Sequence, residues 1–227
     1  MTNFDKKQIA SYIDHTLLKA EADESAIRKL CEEAKQYGFY SVCVNGTWVP
    51  VCRELLQGTG VKIAVVCGFP LGANDSAVKA YEAAKAAEQG AEEIDMVLQI
   101  GRLKQGDYDA VREDIRAVVK AVEGQAIVKV IFETGQLTDE QKIAACRLSE
   151  EAGAHFVKTS TGFGQGGATV EDIRLMRANV SAAIGVKASG GVRDFETAVK
   201  MIEAGATRLG TSSGVAIITG LQSSSSY

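Results

Sequence analysis

Phe156-Val157-Lys158-Thr159-Ser160-Thr161-Gly162 and Gly185-Val186-Lys187-Ala188-Ser189-Gly190-Gly191 share one plan: a short β-branched run, a lysine, then small and hydroxylated residues. Residues such as Val157 and Val186 belong in strands that face a core, where an unpaired ammonium costs several kcal/mol, on the order expected for a desolvated ion. The two lysines stand about thirty residues apart, roughly the length of one strand-helix-strand unit, so parallel neighbouring strands bring them to the same end of a sheet. One ammonium beside another lowers the pKa of one of the pair, and a neutral lysine is a nucleophile.

The rest of the chain supplies the other strands. Candidate strands run from Tyr12 to Thr16, Phe39 to Asn45, Lys62 to Cys67, Glu93 to Leu98, Ile127 to Glu133, His155 to Thr159, Ile184 to Ser189 and Thr207 to Thr211. Between them lie amphipathic segments: Asp23 to Tyr37, Ser76 to Gln89, Asp107 to Val122, Thr138 to Ala152, Val170 to Asn179 and Asp194 to Ala204. Gly38, Gly90, Gly153 and Gly205 close four of these, the usual place for a glycine just past a helix. Eight strands in one continuous βα alternation imply an α/β fold, a single-domain (β/α)8 barrel over 1–221 with a flexible polar tail at 222–227. A doubly wound open sheet is the alternative, but no G-x-G-x-x-G or Walker sequence follows the first strand.

At 227 residues, 46% hydrophobic and 24% charged, the chain can bury a substantial core. Its net charge of -4 and evenly mixed signs speak against a nucleic-acid surface. The N-terminus has no secretory pattern, and no run approaches the roughly 18 apolar residues of a membrane helix, so a cytoplasmic protein without a membrane partner is expected. Cys31, Cys43, Cys52, Cys67 and Cys146 lack C-x-x-C spacing and read as buried free thiols. With two histidines only, no metal site is expected.

In a barrel the chemistry sits at the C-terminal strand ends. There the chain places Asp14, Cys43, Asn45, Asp95, Lys129 and Glu133 beside the two lysines. Asp95 lies in the apolar run Ile94-Asp95-Met96-Val97-Leu98, and Lys129 in Ile127-Val128-Lys129-Val130-Ile131. An ordinary reading makes Asp95 and Lys129 a buried ion pair and lets Lys158 and Lys187 reach solvent. Against it, one carboxylate cannot neutralise three ammoniums, so one lysine should release its proton. Nothing in the charges alone says which. After the last strands, Ala188-Ser189-Gly190-Gly191-Val192-Arg193-Asp194 and Gly210-Thr211-Ser212-Ser213-Gly214-Val215-Ala216 lead into helices, the usual phosphate position in barrels.

These segments, together with Ile13-Asp14-His15-Thr16-Leu17-Leu18 and Glu93-Ile94-Asp95-Met96-Val97, closely resemble the deoxyribose-phosphate aldolase family over essentially the whole chain. The resemblance implies a (β/α)8 lyase, without metal or other cofactor, that reversibly splits 2-deoxy-D-ribose 5-phosphate into D-glyceraldehyde 3-phosphate and acetaldehyde. It implies Lys158 as the Schiff-base lysine, Lys187 as the neighbouring ammonium and Asp95 as the proton-transfer carboxylate, supported by Lys129, Asp14, Thr161 and Cys43. Phosphate would rest on Gly162, Gly190, Gly191, Gly210, Ser212 and Ser213. Some members carry a lysine after the Thr-Ser-Thr-Gly segment where this chain has Phe163, which implies a weaker phosphate preference, with Arg193 the nearest basic residue. Some use a C-terminal tyrosine in proton exchange, the part that falls to Tyr227.

Two other readings stay open. A transaldolase-like Schiff-base enzyme would share one lysine and the phosphate loops without needing the second lysine. A barrel that only binds phosphorylated metabolites would form no covalent adduct. A homodimer or homotetramer is compatible with the chain.

Overall fold

The computed structural model describes residues 4–220. Eight parallel strands close on themselves in chain order, β1 pairing with both β2 and β8. They are β1 (Ile13–Thr16), β2 (Ser41–Val44), β3 (Lys62–Cys67), β4 (Glu93–Val97), β5 (Ile127–Ile131), β6 (Phe156–Lys158), β7 (Gly185–Ser189) and β8 (Arg208–Thr211). The helices are α1 (Lys6–Ala10), α2 (Glu24–Tyr37), α3 (Val49–Leu56), α4 (Ser76–Gln89), α5 (Ile100–Lys104), α6 (Tyr108–Ala121), α7 (Asp139–Glu151), α8 (Val170–Ala178), α9 (Phe195–Glu203) and α10 (Gly214–Thr219). The closed barrel expected from the alternation is what forms, and the open sheet is excluded by the β1–β8 pairing. The polar tail at 222–227 lies outside the described residues.

Local chemistry fixes the helix ends. Asp23, Asp75, Thr138, Thr169 and Asp194 each accept a backbone N–H in the first turn that follows, and Thr138 with Gln141 forms a full capping box. Gly38 and Gly90 end α2 and α4 in the left-handed region that glycine tolerates.

Strand alternation sends every second side chain outward. Ile13, Val42, Ile94, Val128, Val130, Val157, Val186 and Leu209 join the helices in one large apolar core. The inward set is different. Following the pairing register around the barrel sorts all but its C-terminal rim into three layers of four, with alternate strands contributing to each layer. Ser41, Glu93, Phe156 and Arg208 form the layer at the N-terminal end. Asp14, Ala64, Lys129 and Lys187 form the middle, and Cys43, Asp95, Lys158 and Gly210 the C-terminal layer. Most barrels fill these layers with branched apolar residues; this one fills them largely with charge.

Candidate active site

Lys158 and Lys187 sit directly opposite each other in the β6–β7 ladder, as expected of neighbouring parallel strands. Both are buried: Lys158 is 3% exposed and Lys187 0%. Both ammoniums converge on one atom, Asp95 Oδ2, at 2.8 and 2.7 Å. Lys129 Nζ lies 2.7 Å from Asp95 Oδ1, so all three lysines share this carboxylate. Asp95 is held from outside the barrel as well, because buried Lys79 on α4 donates to the carbonyl of Val97 two residues on (2.9 Å) while pairing with Asp114 of α6 (2.7 Å).

Asp95 is not the only carboxylate inside. Glu93 Oε2 lies 2.6 Å from Lys129 Nζ, and Asp14 ion-pairs with Lys187 while standing 3.5 Å from Lys129. Arg208 Nη1 donates to Asp14 Oδ1 at 2.9 Å and to Glu93 Oε2 at 3.0 Å, and the Ser41 hydroxyl donates to Asp14 Oδ1 at 2.7 Å. The sum is three carboxylates against four cations, not one against three. An excess of one positive charge remains, which is the quantity that matters for a deprotonated lysine.

The excess falls on Lys158. Burial pushes its pKa down, the Lys187 ammonium pushes it further, and Asp95 only partly opposes them. Burial works against Lys187 too, but Asp14 and Asp95 hold it well above the ordinary lysine value. Lys129 is likewise raised, by Asp95, Asp14 and Glu93 against the effect of burial. Burial would raise Asp95, yet the ammoniums of Lys129, Lys158 and Lys187 keep it well below the usual carboxylate range, and Asp14 is lowered in the same way by Lys187, Lys129 and Arg208. Cys43 is pushed up by burial and stays a thiol, packed with Leu18, Ala64 and Val66 in a small apolar wall.

The glycine and hydroxyl segments meet at the C-terminal face, on the ends of β6, β7 and β8. Ala168 N–H donates to Gly190 O (2.9 Å), joining the β6 and β7 loops, and Thr211 Oγ1 donates to Val192 O (2.6 Å) while accepting from Ser213 N–H (2.9 Å), joining those of β7 and β8. Gly162, Gly190 and Gly191 all have positive φ. Gly190 and Gly191 belong to a loop rather than to a helix end, because α9 starts at Phe195 and is capped by Asp194. Gly210 lies within β8, where a Cβ would come within 2.3 Å of Ser189 Oγ and 2.9 Å of Lys187 Cε; its bareness makes room for Lys187. Thr161 hydrogen-bonds to buried Glu133 and accepts from Phe163 N–H at 3.0 Å, fixing the turn after Lys158. Phe163 packs edge-on against Phe69 (5.3 Å). Arg193 is exposed, and Asn45 donates to Leu18 O (3.2 Å), tying the β2 end to the β1 loop. Tyr227 lies outside the described residues.

Glu93 and Arg208 were not legible as site residues, although Glu93 stands two before Asp95 and so shares its face. The buried hydroxyls of Ser160 and Ser189 were missed as well; neither has a hydrogen-bond partner among the described residues. All five cysteines are buried and free, and among the described residues no His/Cys/Asp/Glu cluster could hold a metal. No described helix is long and apolar enough to cross a membrane.

A closed barrel whose C-terminal layer presents a desolvated amine beside a fixed carboxylate defines an enzyme of amine-based carbonyl chemistry. The DeoC/LacD family aldolase profile matches residues 8–220. A deoxyribose-phosphate aldolase of Geobacillus sp. (strain WCH70) is 60% identical over 98% of this chain and all of its own length. That of Enterococcus faecalis (strain ATCC 700802 / V583) is 60% identical over 92% of this chain and 94% of its own. A tetrameric deoxyribose phosphate aldolase from Aeropyrum pernix superposes with a TM-score of 0.89 at 35% identity, covering 95% of this chain and 92% of that one. The chain belongs to the DeoC/LacD family of aldolases.

Proposed function

We propose that this aldolase cleaves 2-deoxy-D-ribose 5-phosphate reversibly to D-glyceraldehyde 3-phosphate and acetaldehyde, with Lys158 as the Schiff-base amine, Lys187 as its charged neighbour and Asp95 as the proton-transfer carboxylate. The observation that carries the reading is the asymmetry of the buried cluster: Lys158 alone of its four cations has its pKa lowered. The relatives' shared activity supplies the substrate.

Lys158 Nζ attacks the C1 aldehyde of the open-chain sugar, and the carbinolamine loses water to give a protonated imine. Acetaldehyde carries two carbons, so the bond that breaks is C2–C3. The C3 hydroxyl gives up its proton towards Asp95, its oxygen becomes the aldehyde of the three-carbon product, and the C2–C3 electron pair flows into the imine to leave an enamine on Lys158. Protonation of the enamine at C2 and hydrolysis of the resulting imine release acetaldehyde and regenerate the amine. Lys129 keeps Asp95 ionised and oriented, Asp14 does the same for Lys187, and Thr161 shapes the turn after Lys158. Cys43 belongs to the apolar wall opposite the lysines.

The backbone of Gly162, Gly190 and Gly191, with Ser212 and Ser213, is the phosphate cradle in this reading, and Gly210 contributes by leaving Lys187 its space. Phe163 offers no charge to the phosphate, which supports a phosphate preference weaker than a lysine would give. Small phosphorylated sugars and acetaldehyde are the partners; a homodimer or homotetramer, and a place in the cytoplasm, complete the proposal. The test is product analysis with the purified protein. Acetaldehyde and D-glyceraldehyde 3-phosphate in equal amounts are expected; transfer of a ketose fragment without acetaldehyde would contradict it.

A further inference from the structure

The charged interior does not end at the catalytic layer. Arg208 and Glu93 lie two layers below Lys158, at the N-terminal end of the barrel, where Arg208 stacks on the Tyr40 ring at 3.4 Å and faces Phe156 at 5.2 Å. From there the contacts run without a break. Arg208 bridges Asp14 and Glu93; Asp14 and Glu93 reach Lys187 and Lys129; these two and Lys158 meet on Asp95. Lys129 touches three carboxylates, Lys187 two and Arg208 two, whereas Lys158 touches Asp95 alone. Among four cations competing for three carboxylates, Lys158 is the one held least.

We propose that Arg208 and Glu93 are positioning residues that set the ionisation of Lys158 from the opposite end of the barrel, by fixing the number of charges in the buried cluster. Arg208 supplies the fourth cation that makes the positive charges outnumber the carboxylates; without it, three face three, and only burial and the neighbouring Lys187 still favour loss of a proton from Lys158. Glu93 acts with the opposite sign. The remaining faces of the interior add no competing charge: β2 contributes Ser41 and the Cys43 thiol, β3 contributes Ala64 and Val66, and β8 adds Gly210 above Arg208. Nearer the N-terminal mouth, a cavity of about 380 Å³ is lined by Tyr40, Lys62, Glu92, Glu93 and His155 among others. There Lys62 is paired with Glu92 at 2.6 Å, and His155 Nδ1 accepts from Val128 N–H at 3.2 Å.

The inference rests on Lys158 being the reacting amine, and the test reads that amine directly. Competitive labelling of the folded protein with acetic anhydride across a pH series, followed by peptide mass analysis, gives the midpoint at which Lys158 becomes neutral. In Arg208→Gln this midpoint should rise by about one pH unit, the size expected of a unit charge across the partly screened interior. Below the midpoint that is a tenfold loss of neutral amine. Glu93→Gln should lower the midpoint, and the double variant Glu93→Gln/Arg208→Gln, which removes one charge of each sign, should bring it back towards the wild-type value. Arg208→Lys, which keeps the charge, should also stay near it. An unmoved midpoint in folded Arg208→Gln, or a double variant that keeps the shift of Arg208→Gln, would overturn the proposal. Should Arg208→Gln not fold, Glu93→Gln and the double variant carry the same test, and an unmoved midpoint in Glu93→Gln overturns it. An ordinary lysine midpoint for Lys158 in the wild type would instead overturn the Schiff-base reading.

Discussion

Lys158 and Lys187 carry the same functional group, sit in register and share the same oxygen of Asp95, yet their pKa values are pushed in opposite directions, Lys158 down and Lys187 up. The difference is Asp14, which pairs with Lys187 and not with Lys158. Each lysine therefore depends on the other: without Lys187 the cluster loses the cation that keeps Lys158 from holding its proton. Lys187→Leu should leave the barrel folded and lower the rate at pH 7 by roughly a hundredfold or more, as expected when a lysine returns towards its ordinary pKa near 10.4. The sign is fixed. A raised Lys158 pKa moves the acidic limb of the pH–rate profile to higher pH, so part of the loss should be recovered in alkaline buffer. An unchanged profile in the variant would remove Lys187 from that role.

At the level of elements, the strands that carry the two lysines are placed by a close approach. Gly185 opens β7 opposite Phe156 of β6, and a Cβ there would stand 2.2 Å from the Phe156 ring. Phe156 in turn faces Arg208, so a displaced ring would disturb the N-terminal layer. Gly185→Ala should cost about 1–3 kcal/mol, the usual penalty of overpacking, and lower the thermal midpoint by several degrees in a chain of this size. A midpoint equal to that of the wild type would mean that the ring has free space to move into. The strand and helix spans were largely legible in the sequence because β-branched runs and capped amphipathic segments alternate cleanly; α4 spans the expected Ser76–Gln89. Of the short helices only α10 was, by the glycine segment that leads into it after β8. Val49–Leu56 is only eight residues long, and only Pro50 in its first turn signals a helix start.

Across the whole molecule, barrel closure turns a string of separate anomalies into one charge cluster. The meeting of Lys158, Lys187 and Asp95 was legible because each breaks an apolar strand near its C-terminal end. Arg208 and Glu93 were not, since which layer the first residue of a strand enters, and which charges it meets there, depends on a stagger accumulated over all eight strands. That quantity is not local. It also changes the reason for a neutral lysine: the cluster contains enough carboxylate for every cation but one, and geometry decides which cation is left short. The central claim is thus that Lys158, and no other lysine of the cluster, is the amine that bonds to carbon. Incubation with acetaldehyde and borohydride followed by peptide mass analysis tests it most directly. An ethyl group fixed on Lys158, with Lys129 and Lys187 unmodified, is the expected result; folded protein bearing that group on Lys187 instead, or on neither lysine, would contradict the account.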